Sequence, residues 1–346
     1  MTLDGVIALD QRAVQLLVTA LGPLQVEGYP EPVTGENVIE AVRQSWEPPA
    51  GEGISDEWWL HRKELMGDLL TEAVLTMQEE PERVDLPAVA AAALQALEER
   101  HLLVYVPEGH RAAGPIHQAG WDGAIRDAPG DYLMVVDANL GFNKVDPYVE
   151  ETITYAVDLR QPDQPRAELT LDHRHQGDVM GEPCSHKPRY DLTYEGMMER
   201  CYWDYVRVYA PQGAELLHAT PHPVSGDVLV TGRDRSGEAE ILPDEAGKSV
   251  FGSFFVLRPG ERMRTEFKYT LPSSVMERDG DVWRYRLTVQ KQPGTEAREV
   301  TAALDLPEGA EVISCSPNLK AGDGAHLMAA FSLQTDTLLE VRFRIP

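Results

Sequence analysis

At 346 residues, 42% hydrophobic and 25% charged, the chain reads as folded throughout and too long for one ordinary core, so two or three domains are expected. Its 57 acidic residues against 31 basic ones give a net charge of −26, which repels phosphate backbones and anionic lipid surfaces and excludes nucleic acid as an expected partner. The acidity is read as a solubility device for an exposed protein rather than as a docking surface for a basic partner.

In chain order, Gly5 to Leu9 reads as a short strand, and Gln11 to Leu21 repeats apolar residues at helical spacing until Gly22-Pro23 stops it. Leu24 to Val26 gives another short strand. Thr34 reads as an N-cap for a helix over Glu36 to Gln44, Ser55 for a longer one through Trp58, Leu65, Leu69 and Met77, and Asp85 for Leu86 to Arg100. Leu102 to Val106 is a strand, a helical stretch surrounds Ile116 and Trp121, and Tyr132 to Asp137 closes the segment as a further strand. Strands separated by helices predict an α/β layer domain over residues 1–146.

From Tyr148 the pattern changes to alternation. VEETITYAVDL, RAELTLDH, YVRVYAP, DVLVTG, SVFGSFFVL, RMRTEFKYTL, WRYRLTVQ, REVTAALDL, EVISCS, LMAAFSL and LLEVRFRI read as alternating strands, separated by turn clusters such as RPGE, RDGD and QPGT. The expectation is an antiparallel β-sandwich over 147–272, with 273–346 a second sandwich or a continuation, and hence an α+β multidomain chain. Met197 to Arg200 reads as a short helix.

The stretch DYLMVVDANLGFNKVD, Asp131 to Asp146, is the joint between the two patterns and the first place to look for a ligand. Asp137, Asn139, Gly141 and Asn143 fall at alternate positions, a spacing that wraps oxygens around calcium, but no acid stands at the twelfth place of an EF-hand loop. Turn chemistry explains the same residues without a ligand, with Asn and Asp capping turns and Lys144 pairing with Asp146, and it is the preferred reading. His173, His175, Cys184 and His186 lie close enough in sequence to suggest zinc, though the spacing matches no closed pair and the two strand histidines read as exposed. Cys184 could pair with Cys201, leaving Cys315 odd; in a reducing compartment all three would be thiols. The aromatics Trp58, Trp59, Tyr202, Trp203, Tyr205 and Tyr209 would stack on sugar rings if exposed, and as strand residues read mostly as core. No GxSxG elbow, HExxH or P-loop occurs, so no catalytic residue is assigned.

With DGVIALD, VVDANLGFNKVD, RCYWDYVRVYAP and RYRLTVQKQPGT in order along nearly the whole chain, the sequence resembles the bacterial domain-of-unknown-function family numbered four thousand and twelve, found in envelope-associated proteins. Its front end, a strand, Asp10, a helix and then GPLQV, is also similar to the back half of the LytR-CpsA-Psr domain, whose enzymes move glycopolymers from a polyprenyl pyrophosphate carrier to the cell wall. The resemblance implies an extracytoplasmic location, anchored in the full-length protein by a membrane helix ahead of DGVIALD. A cytoplasmic location is also compatible, since no apolar run reaches the ~18–20 residues of a membrane helix and no export signal follows Met1. In an extracytoplasmic protein the Cys184–Cys201 disulfide is preferred, then free thiols, then zinc.

The function expected is therefore a binding or structural module of the envelope, with cell-wall glycan, polyprenyl-linked glycan or other envelope proteins as partners. The alternative is a glycopolymer phosphotransferase with much of its site absent from this chain. Candidate ligand residues are Asp10, Asp137, Asn139, Asn143, Lys144 and Asp146. No cofactor is assigned, calcium and zinc being the two metals considered, with His173, His175 and His186 as the zinc candidates.

Overall fold

The computed structural model describes residues 3–49, 53–178, 184–185, 193–322 and 325–345. The protein is mixed α+β, with most of its regular structure in sheet, and the chain divides into two compact units. No helix among the described residues is long and apolar enough to cross a membrane.

The first unit gathers Met1–Ala124, Tyr190–Met197 and Pro293–Thr295. Its elements are β1 (Val6–Leu9), α1 (Gln11–Leu21), α2 (Val38–Ser45), α3 (Asp56–His61), α4 (Glu64–Glu79), α5 (Leu86–Glu98), β2 (Leu102–Tyr105) and α6 (Ala113–Ala119), and the short helix expected near Met197 is α7 (Tyr194–Met198). Side-chain caps set the starts of three helices: Asp10 accepts from the Ala13 amide, Ser55 from Trp58 and Asp85 from Ala88. At α2 the helix begins two residues later than Thr34 capping would place it, because Thr34 and Asn37 bond each other in a preceding turn, with the Thr34 amide donating to Asn37 Oδ1. Val18, Leu21, Leu24, Val33, Val38, Val42 and Leu69 form the core. The α/β layer expected here is reduced to one antiparallel pair, β1 with β2, registered Val6↔Tyr105 through Leu9↔Leu102. Leu24 makes only an isolated bridge to Val33.

The second unit comprises Ile125–Arg189, Met198–Gln292 and Glu296–Pro346. Its strands open with β3 (Asp131–Val136), β4 (Val149–Asp158), β5 (Arg166–His175), β6 (Tyr202–Pro211), β7 (Glu215–Ala219), β8 (Glu240–Glu245), β9 (Lys248–Leu257) and β10 (Arg262–Thr270). They continue with β11 (Met276–Asp279), β12 (Val282–Gln290), β13 (Arg298–Asp305), β14 (Glu311–Cys315), β15 (Lys320–Ala321), β16 (His326–Leu333) and β17 (Thr337–Arg344). One sheet has seven strands in the order β15-β16-β13-β4-β5-β10-β7; the other has eight, seven of them in the order β14-β17-β12-β3-β6-β9-β8, with β11 paired to β12. Alternate residues of both sheets join one apolar core, among them Leu133, Ile153, Leu169, Val206, Phe255, Leu287, Val300 and Val341.

One placement differs from the sequence reading. β3 is a strand of this unit, parallel to β12 and antiparallel to β6, so Asp131 to Asp146 lies inside the second unit rather than closing the first. Its all-apolar run, read as the end of an α/β layer, is explained equally well by a central strand covered on both faces: Leu133 and Val135 join the shared core, while Tyr132 and Met134 pack with Tyr209 and Val250 on the other side. Gly130, at φ +89, lets the chain reach β12, since a Cβ there would lie 2.7 Å from the Arg286 carbonyl oxygen. Of the two alternatives for the strands after residue 273, the pairing is that of a continuation: β13 runs parallel beside β4 in one sheet, β12 beside β3 in the other.

Candidate functional site

Alternation turns one set of side chains on the central strands toward the shared core, and at one end of those strands that set is charged. On β4, Glu151 is in phase with the buried Ile153, Tyr155 and Val157; on β5, His173 follows Leu169 and Leu171; on β13, Arg298 precedes Val300 and Ala302. Register then lines the three up. Glu151 pairs directly with His173, and Arg298 lies one step before the Glu299↔Thr152 pair, beside Glu151. The eight-stranded sheet supplies Asp137, just past the end of β3, and Asp204, which is in phase with Tyr202, Val206 and Val208 on β6.

The arrangement is a closed ionic cluster. His173 and Asp204 are 1% and 0% exposed, and Arg298 alone keeps appreciable contact with solvent, at 15% of its side chain. Arg298 bridges two carboxylates, pairing through Nη2 with Asp137 Oδ2 and through Nη1 with Glu151 Oε2 at 2.6 Å. His173 Nε2 stands 3.4 Å from Asp137 Oδ1 and 3.5 Å from Glu151 Oε1. Asp204 Oδ1 accepts from the Ala138 amide at 2.9 Å. The Gln292 side chain clamps the Asp137 backbone, accepting from its N–H and donating to its C=O. Asp137 Oδ1, both Glu151 carboxylate oxygens, Asp204 Oδ2 and both ring nitrogens of His173 make no hydrogen bond. One ligand atom from each of Asp137, His173 and Asp204 lies within 4.8 Å of the other two.

The charges sort by environment. Burial pushes the Asp137 carboxyl up, but the Arg298 guanidinium and His173 outweigh it and hold it well below the carboxylate range. Burial raises Glu151 to about 7 against the pull of Arg298, and raises Asp204 well above its ordinary value with the Asp137 charge adding to it. Burial lowers His173, yet its carboxylate neighbours leave it raised.

The remaining candidates are placed as follows. In the loop after β3, Asn139 Nδ2 donates to Asn143 Oδ1 at 2.8 Å and Asp146 Oδ2 at 2.9 Å, and Asn139 Oδ1 accepts from the Gly141 amide. Asn143 Nδ2 donates to the Cys201 carbonyl. These are turn bonds, and they use the oxygens a calcium ion would need, while Asp137 turns away from the loop into the cluster. Lys144 is half-buried in the same loop. Asp10 belongs to the first unit, where Oδ1 caps α1 and Oδ2 meets His101 Nδ1 at 2.7 Å. Cys184 and Cys201 form a disulfide with Cα atoms 4.9 Å apart, which removes both from any zinc set. His173 and His175 share a strand face as expected, but the face is buried, not exposed, since Leu169 and Leu171 on it belong to the apolar core. Both His175 nitrogens are engaged, by the Arg200 carbonyl and the Gly177 amide. His186 lies outside the described residues. Sequence reasoning found Asp137 and His173 but not Glu151, Asp204 or Arg298; the available signal was a charged residue at the core-facing parity of an alternating strand.

No protein-family model matches the chain, and no curated protein does. Among solved structures it is similar to a candidate nutrient binding protein from Legionella pneumophila, at 9% identity over 63% of this chain and 72% of that one, with a TM-score of 0.36. It is also similar to an M1 zinc metallopeptidase from Deinococcus radiodurans, at 9% identity over 57% of this chain and 42% of that one, with a TM-score of 0.23. The chain thus spans about two fifths of the peptidase's length. Likenesses at that level define no shared fold.

Proposed function

We propose that the chain is an extracytoplasmic binding or structural module of the bacterial cell envelope, of the kind its resemblance to family four thousand and twelve implies, with the two sheets of the second unit forming a β-sandwich. The observation that carries the non-catalytic part of this reading is the enclosure of the ionic cluster. The charged groups best suited to acid–base work, Glu151, His173 and Asp204, are under 10% exposed, so they tie two sheets together where no substrate reaches them. The Cys184–Cys201 bond fits an oxidising compartment. Against the phosphotransferase alternative, both Asp10 oxygens are occupied by a helix cap and by His101.

The test is co-sedimentation of the purified protein with insoluble cell-wall sacculi and with vesicles carrying a polyprenyl pyrophosphate, alongside an assay for transfer of the phosphorylated glycan. Retention on either without turnover is the expected result. Turnover would move the protein to the enzyme class, and failure to bind both would remove glycan and its lipid carrier as ligands.

A further inference from the structure

The cluster has a feature that its ion pairs do not account for: at least one oxygen of each carboxylate and His173 Nε2 are buried and make no hydrogen bond, the 3.4 and 3.5 Å separations of His173 Nε2 from Asp137 Oδ1 and Glu151 Oε1 being ion-pair distances only. Asp137 Oδ2 and Glu151 Oε2 are held by Arg298, and Asp204 Oδ1 by the Ala138 amide. Asp137 Oδ1, Glu151 Oε1 and Asp204 Oδ2 remain, together with His173 Nε2, all buried and without a hydrogen-bond partner. A buried polar atom left unpaired costs about 1–3 kcal/mol, more when charged, so four at one place point to something that satisfies them together.

Geometry and charge indicate what that is. One ligand atom each of Asp137, His173 and Asp204 lies within 4.8 Å of the other two, and His173 Nε2 stands 3.4 Å from Asp137 Oδ1 and 3.5 Å from Glu151 Oε1, close to the ~3.4 Å edge of a tetrahedron whose metal–ligand bonds are ~2.1 Å, with Glu151 the ligand that has to move in to complete the set. With a dication bound, Glu151 and Asp204 would be ionised beside Asp137 and His173 neutral, and the two negative charges that three carboxylates and one guanidinium then leave are cancelled by the dication. One imidazole nitrogen and three carboxylate oxygens are too few and too mixed for calcium, which takes 6–8 oxygens, and suit a first-row ion. Arg298, bonded to the far oxygens of two ligands, would orient them from outside the coordination sphere.

We propose that Asp137, Glu151, His173 and Asp204 hold one divalent cation of the zinc type in the core of the β unit. Four protein ligands leave no open position, so the site is structural and joins the two sheets. The inference does not depend on where in the cell the protein acts or on what it binds.

The experiment uses the full chain with its disulfide intact, produced in zinc-supplemented medium, dialysed without chelator and analysed for bound metal by mass spectrometry. One zinc per chain is expected, falling close to none in Asp204→Asn and Glu151→Gln. The wild type is then unfolded in guanidinium with chelator and refolded with zinc, cobalt, calcium, magnesium or no metal. Zinc should raise the thermal midpoint by roughly 10 °C or more over the metal-free protein, and cobalt should give the visible absorption of a tetrahedral site. A metal-free wild type whose midpoint is the same with and without zinc overturns the proposal, and so does calcium or magnesium matching zinc. Should the variants fail to fold, the metal content and cobalt spectrum of the wild type decide the matter alone.

Discussion

Asp131 and Asp137 stand at opposite ends of the same strand, both turned toward the shared core, and burial alone would raise both. Asp137 has a guanidinium beside it and goes down. Asp131 has only neutral donors, the Tyr155 hydroxyl at 2.9 Å, the Tyr285 hydroxyl and the Tyr132 amide, and burial wins, raising it to about 6. A group whose folded value is raised adds stability that is fully present below its unfolded value, 3.8, and is lost as pH climbs through about 6. The shift is worth about 3 kcal/mol at 1.36 kcal/mol per unit. Urea unfolding from pH 4 to 7.5 should therefore show Asp131→Asn losing less stability than the wild type across that window; parallel curves would refute the assignment. At the other end, Arg298→Met strips the shared counter-charge from Asp137 and Glu151 and should cost about 3–5 kcal/mol at neutral pH, because it leaves buried carboxylates unpaired. Arg298→Lys should fall between, since one ammonium does not bridge two carboxylates as a planar fork does.

Among the elements, the loop after β3 and the disulfide act on the same place, because Asn143 bonds the carbonyl of Cys201. The bond closes a loop of sequence separation 17, and breaking it in a Cys184→Ser, Cys201→Ser double variant should cost about 3 kcal/mol by chemical denaturation. Thiol titration of the oxidised protein should find one reactive group, the exposed Cys315, even after denaturation; three would remove both the disulfide and the argument for export. Much at this scale was legible in the sequence. Ser55 and Asp85 cap helices as read, because a short side-chain oxygen before an apolar run does so locally; Asp10, read as a ligand candidate, caps α1 by the same rule, and the alternating segments became strands for an equally local reason except DVLVTG, where Gly226–Val228 is a tight helical turn. The ionic cluster was not legible. Its members come from β4, β5, β6, β13 and the end of β3, and only register brings them together. What each strand did show is the lone charge at core parity, and Glu151 beside Ile153 and Tyr155 is the clearest instance.

For the second unit as a whole, the parallel pairs β3 with β12 and β4 with β13 set the architecture. Neither was foreseeable, because alternation reveals a strand but not its neighbour, and turn-rich sequence between strands favours the assumption of hairpins. The pairings make the segment after residue 273 indispensable. A chain ending at Leu271 would lose the partners of β3 and β4 on one side in both sheets, and Arg298 with them. Such a truncation should show no cooperative unfolding transition and little dispersion in its amide NMR spectrum, whereas an independent domain over 147–272 would retain both.

The same two pairs bear on the order in which a ribosome delivers the chain. β3 and β4 emerge early, yet their parallel neighbours follow only after some 150 residues of further synthesis, counted on the numbering of β4 and β13. Until then both early strands present an open hydrogen-bonding edge with apolar faces. Nascent second-unit chain is thus committed to wait, unfolded or guarded, until its last strands are made, a state that a translocation channel accepts and a crowded polysome penalises.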